Sequence, residues 1–192
     1  MTFVFESSAV PQGRGTLLAH ATTFVRETMG GEEAWVRFLR GMDPADAERI
    51  RNAVAVGWYD TRLYVRTLHA LRCFSPRGDV LDAFGRFSAE RDVSTLYRVM
   101  LRLANPSFVV EKTAQLWSRY HDSGVWAMNR VSPTRATGEL SGWLVVDEGA
   151  CEVLNGYLER ILQLVGAEGA VSRHVACRSR GARACTFDMD WR

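Results

Sequence analysis

The stretch Val125–Val146, VWAMNRVSPTRATGELSGWLVV, is where the chain changes its period. Upstream of it, apolar residues recur at helical spacing. Within it, VWAMNRVS and ATGELSGWLVV alternate and carry β-branched residues on either side of a turn near Pro133, which predicts two strands. Downstream, DEGACEVLNGYLERILQLVGA returns to the helical period. Acidic residues open it, Gly166 closes it, and Val153, Leu154, Tyr157, Ile161, Leu162 and Val165 form its apolar face. AVSRHVACRS and RACTFDMDW then read as a hairpin. In the last strand Cys185, Phe187, Met189 and Trp191 alternate with Thr186, Asp188, Asp190 and Arg192, a half-buried pattern with the cysteine on the core side.

The part before Val125 reads as helices. TLLAHATTFVRETMGG places Leu17, Leu18, Ala21, Phe24, Val25 and Met29 on one stripe, and Gly30 and Gly31 stop it. EEAWVRFLRGM is a second short helix with Trp35, Phe38 and Leu39 on one face. Asp43 caps a third, with Pro44 at its first position. A fourth carries Leu63, Tyr64, Leu68 and Leu71 and takes its cap from Asp60 or Thr61. After the turn SPRGD the helical phase resumes, as two helices meeting near Arg91, and NPSFVVEKTAQLWSRYHDSG adds another that closes at Gly124. Residues 1–13 read as a loose arm or an edge strand through Phe3 and Phe5.

The expected fold is therefore α+β, in a single domain spanning 1–192. An N-terminal helical half (14–122) precedes a β-β-α-β-β unit (123–192), whose antiparallel sheet of about four strands carries a helix across it. Composition agrees with a folded domain: 47% hydrophobic and 24% charged residues. A net charge of +2 argues against a nucleic-acid binder, and the Arg178, Arg180, Arg183 cluster reads as a solvated loop. The opening MTFVFESSAVPQGRG lacks the pattern of a signal peptide, and no apolar run is long enough to span a bilayer. A cytoplasmic location without membrane contact is the expectation, with Cys73, Cys151, Cys177 and Cys185 as core thiols, metal ligands or reactive groups before disulfides.

Cys177 and Cys185 straddle the terminal hairpin, and Cys151 lies at the start of the preceding helix, where the helix dipole lowers a thiol's pKa. With His174 they would complete a closed, tetrahedral zinc shell. The other reading is three buried thiols and a surface histidine. Geometry sets a condition on the first. In a regular strand His174 and Cys177 face opposite sides, so a bulge or a strand end at Ala176 is needed for both to reach one ion.

Cys151, Gly156, His174, Cys177, Gly181, Cys185 and Phe187 resemble the C-terminal pattern of 4-vinyl-reductase-type domains. These small-molecule-binding domains occur in aromatic-sensing bacterial activators and in bacteriochlorophyll biosynthesis. The resemblance implies that Cys151, His174, Cys177 and Cys185 are zinc ligands. Their gaps of 23, 3 and 8 residues match the spacing in the aromatic-sensing members, with His174 standing where the family has Glu. The superfamily also holds haem-based nitric-oxide sensors and TRAPP vesicle-tethering subunits, with the same order of helical half and sheet. Segments such as FVRETMGGEEAWVRFLRGM and VGWYDTRLYVRTLHAL are similar to an uncharacterised group of myxobacterial paralogues of those sensors.

Haem is not expected on sequence grounds. The haem sensors' Tyr-x-Ser-x-Arg motif has its nearest counterpart in NRVSPTR, where Ser132 and Arg135 are present but the tyrosine is missing and the spacing is one residue too long. Were a haem bound, His121 would be its axial ligand, with His69 the other candidate. His121 sits at a helix C-terminus that suits a cationic ring, His69 reads as a core histidine, and His20 has no visible partner. No phosphate loop, nucleophile elbow or HExxH helix is present, so no enzyme activity is expected. Glu159 and Arg160 read as solvent-face charges.

The expected function is a ligand-binding or regulatory sensor domain. Its ligand, small and apolar or aromatic, would lie between helices and sheet against Phe108, Trp117, Tyr120, Trp126 and Trp143. The alternative, implied by the resemblance, is a homodimeric protein–protein adaptor with Val25, Trp35 or Phe38 as its surface.

Overall fold

A computed structural model describes residues 10–92 and 115–192. Helix α1 (Gly15–Thr28) ends at Gly30 and Gly31, whose φ values of 113° and 73° lie in the left-handed region. Helices α2 (Gly31–Arg40) and α3 (Pro44–Arg51) follow, and Asp43 caps α3 by accepting from the Ala45 and Asp46 amides. Asp60 caps α4 (Thr61–Phe74), and α5 spans Val80–Asp92. Leu18, Phe24, Trp35, Phe38, Leu68 and Phe84 bury the inner stripes of these helices in one core.

A two-stranded sheet joins the helical half. Strand β1 (Gln12–Arg14) pairs antiparallel with β2 (Trp58–Asp60). Neither was predicted, since three residues are too few to show an alternation. The candidate strand through Phe3 and Phe5, and the segment that includes Phe108, fall outside the described residues.

The second half follows the predicted order. Strands β3 (Val125–Ser132) and β4 (Arg135–Ser141) turn at Pro133, helix α6 (Glu148–Leu164) crosses over, and β5 (Val171–Ala176) and β6 (Cys185–Asp190) close the chain. The four strands form an antiparallel sheet in the order β3-β4-β6-β5. Cys185, Phe187 and Met189 are buried on its helix-facing side, against Leu158 and Leu162 of α6 in the same core.

Helices α5 and α6 meet at two glycines. A Cβ on Gly85 would lie 2.0 Å from the Val153 carbonyl oxygen, and one on Gly156 would lie 2.2 Å from that of Asp82. Only hydrogen permits this approach, which gives Gly156 a packing role. Glu159 is not a solvent-face charge. Its side chain is mostly covered, lies 2.6 Å from Arg86 of α5 and accepts from the Ser172 amide of β5 at 3.0 Å, tying three elements together.

Candidate functional site

Two clusters of chemistry-bearing residues lie at the junction of the halves. The first lines a cavity of about 120 Å³ between the helices and the sheet. Trp117, Tyr120, Trp126 and Trp143 border it. Trp126 reaches its place because Gly138, diagonal to it on β4, has no side chain; a Cβ there would meet the indole at 2.4 Å.

His121 also lines this cavity. It is 9% exposed and packs between two indoles, with ring centroids 4.1 Å from Trp117 and 5.3 Å from Trp143. β1 holds it in place. Gly13 bridges to His121, the Asp122 amide donates to the Gln12 carbonyl, and the Gln12 amide donates to the Asp122 carboxylate. Its Nδ1 and the Trp143 Nε1 are buried without a hydrogen-bond partner. Burial lowers the His121 pKa to about 4, so the ring is neutral, not the helix-end cation the sequence suggested. Desolvation outweighs the helix dipole once water is excluded.

The sequence also missed the cavity's polar end. The Tyr157 hydroxyl donates to Asp92 Oδ2 at 3.0 Å, and His20 Nε2 lies 3.5 Å from Asp92 Oδ1. Contacts between α1, α5 and α6 carry no sequence signature. His69, read as a core residue, is instead exposed and bonds Asp147 at 2.7 Å.

The second cluster is Cys151, His174, Cys177 and Cys185. One potential ligand atom from each lies within 4.8 Å of all the others. Cys177 Sγ is 4.0 Å from Cys151 Sγ and 3.9 Å from Cys185 Sγ. The register of β5 against β6 shifts between His174 and Ala176, which is the irregularity the geometry required. His174 stacks on Phe187 at 4.8 Å, and its Nε2 has no hydrogen-bond partner.

Burial raises the Cys151 thiol, overriding the helix N-terminus expected to lower it. Burial also acts to raise Cys177, but the Ser179 hydroxyl and amide, with the neighbouring thiols, outweigh it and hold Cys177 below the ordinary range. Cys151 borders the cavity as well, so the two clusters adjoin. Cys73 is exposed and free.

Helical half, four-stranded sheet and crossing helix define the fold seen in haem NO-binding (H-NOX) structures. An H-NOX protein from S. oneidensis in its Fe(II)NO state superposes with a TM-score of 0.69 at 19% identity, over 93% of this chain and 99% of that one. The Fe(II) unliganded H-NOX protein from K. algicida gives 0.66 at 10% identity, over 93% and 96%. A structure described by its haem redox potential and porphyrin distortion gives 0.65 at 11% identity, over 93% and 99%. No protein-family model and no curated protein matches the chain.

These matches correct the sequence argument against haem. Chains of this fold hold haem, so the absence of Tyr-x-Ser-x-Arg does not dispose of the group. A single donor suits its iron, since His121 offers an unpartnered neutral imidazole nitrogen among apolar walls; at about 120 Å³ the cavity is smaller than a porphyrin, so its walls must part to admit one.

No helix among the described residues is long and apolar enough to cross a membrane. The surface suggested for an adaptor is not available, because Val25, Trp35 and Phe38 are 0%, 3% and 1% exposed. Their stripes face the core.

Proposed function

We propose that the chain is a non-catalytic sensor domain whose ligand occupies the cavity between the helical half and the sheet. One observation carries this: a buried, neutral imidazole with an unpartnered nitrogen, walled by two tryptophans, in a fold that elsewhere holds haem. Haem is the first ligand to test. When bound it supplies an iron that takes up a diatomic gas. His121 would hold the iron, and Trp117 and Trp143 would keep water away. The test is haemin titration of the purified chain. A Soret band that shifts on binding and is lost in a folded His121→Ala variant supports the reading; a spectrum identical to free haemin rejects it.

A second reading has its own observation. The cavity of about 120 Å³ has no lysine or arginine among its described lining residues. An apolar cavity of about 150 Å³ accepts benzene, so at about 120 Å³ this one is close to the size of a single ring. Thermal shifts with single-ring compounds, in protein free of haemin, test that reading.

The adjoining cluster is proposed as a structural zinc site of Cys151, His174, Cys177 and Cys185. In its support, tetrahedral zinc with bonds of about 2.3 Å to sulfur sets sulfurs about 3.8 Å apart, close to the 3.9 and 4.0 Å found here. Four protein ligands leave no open position, so the ion would clamp the β5–β6 hairpin to α6 rather than do chemistry. A protein partner that receives the signal completes the proposal.

A further inference from the structure

The polar end of the cavity has a chemistry of its own. Asp92 closes α5 and lines the cavity with His20 of α1, Tyr157 of α6 and Tyr120. Its carboxylate accepts from the Tyr157 hydroxyl at 3.0 Å, is hydrogen-bonded by Tyr120 as well, and lies 3.5 Å from His20 Nε2. Burial lowers the His20 pKa, so its ring brings no full positive charge at neutral pH. No lysine or arginine pairs with Asp92 among the described residues.

A carboxylate largely withdrawn from water is held in its charged form by a cation as well as hydrogen bonds; without one its pKa rises, as burial raises that of Asp92. Here the hydrogen bonds are present, and among the described residues no permanent cation pairs with the carboxylate. The cavity that Asp92 lines is also bordered by the aromatic rings of Tyr120, Tyr157, Trp117 and Trp143, a kind of wall that favours positive charge. The unpartnered His121 Nδ1 and Trp143 Nε1 are a separate sign that a polar molecule completes this cavity.

We infer that Asp92, with His20 and Tyr157 holding it in place, is the recognition site for an ammonium group, and that the cavity's ligand is a small aromatic amine. This rests on the single-ring reading of the cavity. A hydrocarbon of the same shape would leave the carboxylate buried against apolar surface with no compensating charge.

The experiment is calorimetric titration of the full chain with benzylamine, benzyl alcohol and toluene, which share a ring and differ in the head. Benzylamine is expected to bind about tenfold or more tightly than either neutral probe, as a charge-assisted contact does. Asp92→Asn should remove that preference while toluene binding stays unchanged, and Tyr157→Phe, which keeps the carboxylate, should retain most of it. Equal affinity for all three probes overturns the inference and leaves the single-ring reading standing. Absence of binding by any probe removes both. Should Asp92→Asn fail to fold by circular dichroism, the ranking of the three probes on the wild-type chain decides alone.

Discussion

His121 shows how the fold resets a single residue. Its ordinary pKa near 6.5 falls to about 4 because the ring is shut away from water beside two indoles. The unfolded chain therefore binds a proton between these two values that the native chain refuses, so stability rises with pH across that window and is lost as pH falls through it. At 1.36 kcal/mol per pKa unit, the ligand-free protein should lose roughly 3 kcal/mol between pH 6.5 and 4 from this group. Burial lowers His20 in the same sense, and it raises Asp92, which acts in the opposite sense by holding its proton longer in the native state. Chemical denaturation at several pH values checks this: His121→Phe should flatten the slope, and an unchanged slope would count against the neutral, buried imidazole. Gly156 supports a second prediction. A methyl group there meets the Asp82 carbonyl oxygen at 2.2 Å, so Gly156→Ala must push α6 from α5. The expected cost is about 1–3 kcal/mol in a denaturant melt, and a neutral effect would show the helices to be less tightly packed.

At the scale of elements, the terminal hairpin matters most. Spacing located its cysteines, and the period of β6 put Cys185 on the inner face. The bulge that turns His174 toward the same point arises from how β5 registers on β6, which a single strand's sequence does not record. With zinc in place, metal analysis should find about one zinc ion per chain. Cys177→Ser should lower occupancy and reduce the melting temperature by roughly 5–15 °C. A chelator should produce the same drop in the wild type and none in the variant. Metal-free wild-type protein with an identical melting curve would remove the clamp. β1 and β2 are the opposite case. Each is only three residues long, and each exists because the other lies beside it.

For the molecule as a whole, the closest contact between the halves runs through α5 and α6. Gly85 and Gly156 let the backbones touch, and Arg86 reaches Glu159, which in turn holds β5. The two halves should therefore unfold as one cooperative unit. Melts followed by far-ultraviolet circular dichroism and by tryptophan fluorescence should coincide, because Trp35 sits among the helices while Trp126 and Trp143 sit with the sheet. Separate transitions would show that the helical half is stable without α6.

By itself the sequence determined the α+β class, the order of the elements after Val125 and the inner face of β6. Each follows from periodicity or composition, which are local properties of the chain. The tertiary structure alone decided the protonation of His121, the polar cluster around Asp92, the bulge beside His174 and the pairing of Glu159 with Arg86 and β5. These depend on which residues from distant elements meet and on how much water is left between them, and no local pattern encodes either.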